Sequence, residues 1–102
     1  MEHAVLIHLP LKCQFGTDGE KEEVQNLEEE LASVVEAPSV GEFDGNEFGA
    51  SKCVLFLYGT NADRLFKAIE PVLKATPIAS GGYAIKRYGA ANHPRAREKR
   101  VT

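Results

Sequence analysis

Two long apolar runs stand out along the chain. Residues 4–11 are almost continuously apolar, and so are residues 52–58, as expected of strands flanked by neighbours on both sides. Between them, Val24, Leu27, Leu31, Val34 and Val35 recur at three- and four-residue spacing, which predicts a helix with one buried face. Thr17 followed by Glu20 has capping-box spacing for its start, and Pro38 forces its end. Glu28, Glu29 and Glu30 then fall mainly on its solvent side.

Residues 40–48 are more polar and interrupted by Gly45, which predicts an edge strand with a bulge, paired as a hairpin with 52–58. The turn is placed at Gly49-Ala50-Ser51, because the strand ending at Tyr58 needs a long partner; Asp44-Gly45-Asn46 is the rival. Asn61 or Thr60 caps a second helix carrying Leu65, Phe66, Ile69, Val72 and Leu73 on one stripe. Pro71 kinks this helix, which continues because its stripe does. After Gly81-Gly82, residues 83–88 predict a last strand, with Lys86 and Arg87 suited to an edge. No periodicity follows Gly89, so the expected organisation is one domain over 1–89 and a mobile basic tail over 90–102.

The element order is β-α-β-β-α-β. Two helices that are each apolar on one face need a common sheet. Right-handed crossovers then give a ferredoxin-like α+β two-layer sandwich, an antiparallel sheet of order 4-1-3-2 with both helices on one face. That order requires the first and third strands to be central, and these are the two apolar runs. It leaves the other sheet face uncovered. Alternation puts either Leu6 and His8 or Val5, Ile7 and Leu9 there, with alternate residues of 54–58, and a second copy is the simplest cover for that surface. Loops 12–19, 49–51 and 75–82, each holding glycine, should meet at one end of the sheet.

At 102 residues with 43% hydrophobic and 26% charged residues, the chain suits one globular core without room for a large cofactor. Two cysteines are too few for a disulfide scaffold. The first residues lack a basic segment followed by a long apolar one, and no stretch nears the roughly 20 apolar residues of a membrane span. A cytoplasmic location without membrane contact is expected. The net charge of −3 hides an asymmetry: residues 1–50 hold twelve acids and two bases, residues 51–102 three acids and ten bases. The tail bases Arg95, Arg97, Lys99 and Arg100 suit an acidic protein partner.

The chemistry-bearing residues are sparse. Cys13, Asp18, Gly19, Cys53, Gly81 and Gly82 gather near the glycine-loop end and are the candidate ligand-binding residues of a small sensor or enzyme. Asp18, Glu20 and Glu23 oppose an anion there. His3, His8 and His93 share no ligand spacing, and Glu42, Asp44 and Glu47 follow no metal-loop pattern, so no metal, cofactor or catalytic residue is assigned.

Comparison with families of this topology narrows the reading further. RNA-recognition domains carry stacking aromatics in a basic, glycine-containing run on the third strand, which Ser51-Lys52-Cys53-Val54-Leu55-Phe56-Leu57-Tyr58 lacks; nucleic acid is not expected. Acylphosphatases need an arginine in the first loop, and heavy-metal chaperones two cysteines there; loop 12–19 has no arginine and only Cys13. In topology the chain is similar to ACT-type regulatory domains, which implies pairing through the sheet. Gly41-Glu42-Phe43-Asp44-Gly45-Asn46-Glu47-Phe48-Gly49 and Gly81-Gly82-Tyr83-Ala84-Ile85-Lys86-Arg87-Tyr88-Gly89 resemble segments of small bacterial proteins of this type, a resemblance that brings no activity with it. The expectation is a non-enzymatic binding or regulatory module that forms a homodimer through its open sheet face.

Overall fold

The computed structural model describes residues 2–89 and 97–101. Strands β1 (His3–Pro10), β2 (Glu42–Gly49), β3 (Lys52–Gly59), β4 (Tyr83–Arg87) and β5 (Glu98–Val101) form one antiparallel sheet in the order β2-β3-β1-β4-β5. Helix α1 (Asp18–Glu36) joins β1 to β2, and α2 (Ala62–Ala75), followed by a single 3-10 turn at Pro77–Ala79, joins β3 to β4. The two apolar runs are the centre of the sheet: β1 pairs with β3 along its whole length, from His3 opposite Gly59 to Pro10 opposite Lys52.

The local signals at the ends of the elements act as their chemistry dictates. Thr17 accepts the Glu20 N–H at 3.1 Å, and the Glu20 carboxylate accepts the Thr17 N–H at 2.9 Å, so two free donors of α1 are satisfied reciprocally. Asn61 caps α2 by accepting the N–H groups of Asp63 and Arg64. Pro71 lies inside α2, which runs four residues past it.

The hairpin turns at Ala50-Ser51, between Gly49 and Lys52, and the register shift on β2 falls between Phe43 and Gly45, so the turn and the bulge are both where the sequence places them. Ala50 and Ser51 both take positive φ, 53° and 61°, the signature of a type I′ turn. Neither residue favours that conformation.

Val5, Ile7 and Leu9 of β1 and Cys53, Leu55 and Leu57 of β3 share one buried cluster with Val24, Leu27, Leu31 and Val35 of α1 and with Leu65 and Ile69 of α2. Beyond this cluster, polar contacts tie each helix to the sheet. Asn46 of β2 donates to both Glu28 oxygens on α1 at 2.9 Å. Asp63 at the start of α2 accepts from the Tyr88 hydroxyl at 2.6 Å and from Lys86 at 3.0 Å. Those two donors, the hydroxyl first, hold the Asp63 carboxyl below its ordinary pKa, and the same contact pushes the Tyr88 hydroxyl up. His3 is structural too, its Nδ1 accepting the Ala62 N–H at 3.1 Å.

One element departs from expectation. β4 is not the sheet edge: β5 pairs with it, Ala84 opposite Val101 through Arg87 opposite Glu98. Four residues with one apolar side chain carry no alternation to read, and this strand is held by backbone pairing and by cations over aromatic rings. Arg97 lies 5.5 Å from the Tyr88 ring centroid and Arg100 3.9 Å from that of Tyr83. Of the tail 90–102, residues 90–96 and 102, with His93 and Arg95 among them, lie outside the described residues.

The turn gives a direct test of the local backbone argument. Replacing Ala50-Ser51 by Asn-Gly, the pair that accepts two positive φ values most readily, should stabilise the protein by about 1 kcal/mol. Urea unfolding measures it; no gain, or a loss, would mean that the hairpin turns differently.

Candidate binding face

The ladder registers divide the sheet into two sets of side chains, because directly paired residues share a side and successive residues alternate. Val5, Ile7 and Leu9 belong to the buried cluster, so Ala4, Leu6 and His8 face away from it. The alternative left open by the sequence is thereby resolved. Three rows on this second side extend as far as β4, beside a shorter one of Gly49, Lys52 and Pro10. Glu42, Tyr58, Ala4, Arg87 and Glu98 form the first. Gly45, Phe56, Leu6, Ile85 and Arg100 form the second, and Glu47, Val54, His8 and Tyr83 the third.

The middle of these three rows is largely apolar and aromatic, with Arg87 and His8 among them, and four of the six ends are charged, the exceptions being Gly45 and Tyr83. Leu6, Val54, Phe56, Tyr58, Tyr83 and Ile85 are all half-buried, and none of them packs against the buried cluster. They cover one another only partly. Arg87 reaches across Ala4 toward the Tyr58 ring, 5.9 Å from its centroid, and its Nε donates to the Gly89 carbonyl at 2.8 Å. Arg87 and Ala4 are both buried as a result.

His8 sits in the middle of this surface. Its ring is stacked on Tyr83, with centroids 4.6 Å apart and planes within 7° of parallel, and Arg100 lies over the same tyrosine. Both imidazole nitrogens are buried with no hydrogen-bond partner among the described residues. Burial first, and then the nearby charges of Lys52 and Arg100, hold the His8 pKa below its ordinary 6.5, so the ring is neutral at pH 7.

The glycine-loop end is built differently. Loops 12–19 and 49–51 do meet: Leu11 N–H donates to Ser51 O at 2.9 Å and Ser51 N–H to Gln14 O at 3.1 Å. Gly82 lies so close to the His8 carbonyl that a Cβ there would collide with it, which brings loop 75–82 to the same end. The backbone donors that would cradle an anion are already engaged by the chain's own carboxylate. Glu20 takes the Lys12 N–H at 3.0 Å as well as that of Thr17, and these bonds, Thr17 first, keep its carboxyl below the ordinary range.

The candidate residues at this end do not form one cluster. Asp18 and Gly19 lie exposed in the first turn of α1, and Cys13 is exposed in the loop. Cys53 is fully buried on the core side of β3, and its thiol is pushed up to about 11 by that burial and by the nearby Glu28 charge. Gly81 approaches Pro10, whereas Gly82 borders a cleft of about 220 Å³ between α2, the 3-10 turn and strands β4 and β5. Ile7, Phe66, Leu73 and Val101 line its floor and walls, and the exposed Glu70–Lys74 pair stands at its rim. Among the described residues, no group of three or more His, Cys, Asp and Glu side chains is placed to hold a metal ion, and no helix is long and apolar enough to cross a membrane.

Sequence reasoning located the apolar centre of the second face but missed Tyr83, Arg87 and Arg100 as parts of it. The signal was the spacing Tyr83-x-Ile85-x-Arg87, which puts three large side chains on one side of a strand. Arg100 had no comparable signal, because its place depends on β5.

The two thiols give a measurable contrast. A disulfide reagent applied to the native protein at pH 8 should modify Cys13 quickly and Cys53 only after denaturation. Two fast thiols would mean that Cys53 is not sealed under α1.

No protein-family model, no curated protein and no solved structure matches the chain.

Proposed function

We propose that the protein is a non-enzymatic binding or regulatory module that forms a homodimer through the helix-free face of its sheet. In this reading the architecture is a ferredoxin-like sandwich, with strand order 4-1-3-2 extended by a fifth strand and both helices on one face. The single observation that carries it is the block formed by Leu6, Val54, Phe56 and Ile85, flanked by Tyr58, His8 and Tyr83. Burying these side chains is worth roughly 25 cal/mol for each Å² of apolar surface removed from water, and the block spans three strands.

A second copy of the same chain matches that surface in kind. Its apolar middle meets an apolar middle under a two-fold axis, while the charged ends of the rows remain at the rim, where water solvates them. Among the described residues the same face offers no positioned nucleophile or acid–base pair: its one histidine is stacked and neutral, and its carboxylates stand at the edges, Glu42 and Glu47 on β2 and Glu98 on β5. Two free cysteines and no designed disulfide support a cytoplasmic site of action.

Phe56→Glu places a charge in the middle of the block, where a partner would leave it desolvated and unpaired. Light scattering on eluted protein should show the unmodified chain at twice the mass of a monomer. The Phe56→Glu variant should run as a folded monomer, its dissociation constant raised at least about 100-fold. Lys67→Glu, on the exposed side of α2, should leave the dimer unchanged. A variant with Phe56→Glu that stays dimeric would remove the sheet face from the interface.

A further inference from the structure

Among the described residues His8 is the one histidine on this face of the sheet, and its chemistry bears on how the dimer would be regulated. Its neighbours supply no hydrogen bond to either ring nitrogen. They are, across the sheet, Val54 and Lys52 on β3, Tyr83 on β4, Arg100 on β5 and, beyond Val54, Glu47 on β2. The nearby charges felt by the ring are the cations Lys52 and Arg100, and the one carboxylate of its row, Glu47, is a full strand further away. An imidazolium here would therefore add a positive charge beside the two cations nearest the ring, on a face that also carries Arg87.

We propose that the dimer is gated by protons through His8, forming while the imidazole is neutral and separating when it takes up a proton. The proposal rests on the face-to-face dimer argued above. In a monomer the protonated ring has a way out: it leaves the Tyr83 stack and turns toward water, since none of the described helices or strands packs over this side of the sheet. In the dimer the partner's apolar surface lies over it, and leaving the stack opens no path to solvent. The monomer thus binds the proton more tightly than the dimer does, and by linkage the proton favours the monomer.

The sign follows from the direction of the shift. His8 already holds its proton less tightly than an ordinary histidine at 6.5, and burial under a partner moves it further the same way. Association is therefore strongest at and above neutral pH and weakens as pH falls below the pKa of the monomer, which is itself under 6.5. Because a two-fold dimer carries two copies of His8, up to two protons are taken up per dissociation. The dissociation constant can then rise by as much as about 100-fold per pH unit.

The test is sedimentation velocity at a fixed series of chain concentrations between about pH 7.5 and 5, run on the unmodified chain and on His8→Phe, which keeps a flat ring against Tyr83 without a titrating nitrogen. The expected result is a dimer at pH 7.5 that dissociates progressively on acidification, and a His8→Phe dimer whose dissociation constant stays flat. A dimer of the unmodified chain with a flat profile overturns the gate and leaves the sheet-face dimer standing. Equal pH dependence in His8→Phe overturns it too, by assigning the effect to another group. A chain that is monomeric at pH 7.5 overturns the dimer and the gate together. Should His8→Phe fail to fold, the imidazole resonance of His8 in the unmodified protein decides the matter. It must stay at its neutral position for as long as the dimer persists, and titration within an intact dimer overturns the proposal.

Discussion

The pairing of β1 with β3 is the constraint on which the rest of the molecule depends. Eight residue pairs fix which side of every strand faces the helices, because a slip of one residue would turn Val5, Ile7 and Leu9 out and Leu6 and His8 in. Once that register is set, β2 and β4 dock on either flank, and apolar side chains of α1 and α2 share one buried cluster with six side chains of the two central strands. The second side of the sheet is then determined as well. It inherits whatever the alternate positions hold, and at its centre these are leucine, isoleucine, valine, phenylalanine and tyrosine, with His8 and Arg87 between them. An ordinary solvated sheet would carry polar residues there.

Much of this was legible in the sequence because the signals are local and mutually consistent. Thr17 and Glu20 specify a capping box, Asn61 a second cap, Gly45 a bulge and the length of 52–58 a turn at 49–51; each of these statements depends on a handful of adjacent residues. The strand order followed from a comparison of whole segments, since only two runs were apolar enough to be central. What escaped was non-local. β5 is bound to β4 across residues whose own pattern is charged, and Arg100 finds its place through Tyr83 rather than through hydrophobicity. The bond between Glu20 and Lys12 joins a helix to the strand end before it, a contact that no helical or strand period anticipates.

That bond also explains why the glycine-loop end and the sheet face differ in character. At the loop end the chain satisfies itself: a carboxylate from the first turn of α1 fills the nest of backbone donors, and the loops close on one another through Leu11, Gln14 and Ser51. On the sheet face the chain leaves its chemistry incomplete. Half-buried apolar side chains lie in rows with no described helix or strand above them, and an imidazole is stacked on Tyr83 without a partner for either nitrogen among the described residues. Polar satisfaction at one end and apolar incompleteness on the other face are the features expected of a module whose business is association.

The central claim is that the sheet face carrying Leu6, Val54 and Ile85 is where a second copy binds. Methyl resonances followed by NMR on dilution at pH 7.5 test it most directly, because each methyl reports its own surroundings. A dimer through this face gives concentration-dependent shifts at Leu6, Val54 and Ile85 and none at Leu31 or Ile69, which lie in the buried cluster. Shifts confined to α1 or α2, or no shift at any methyl while the chain remains monomeric, would contradict it.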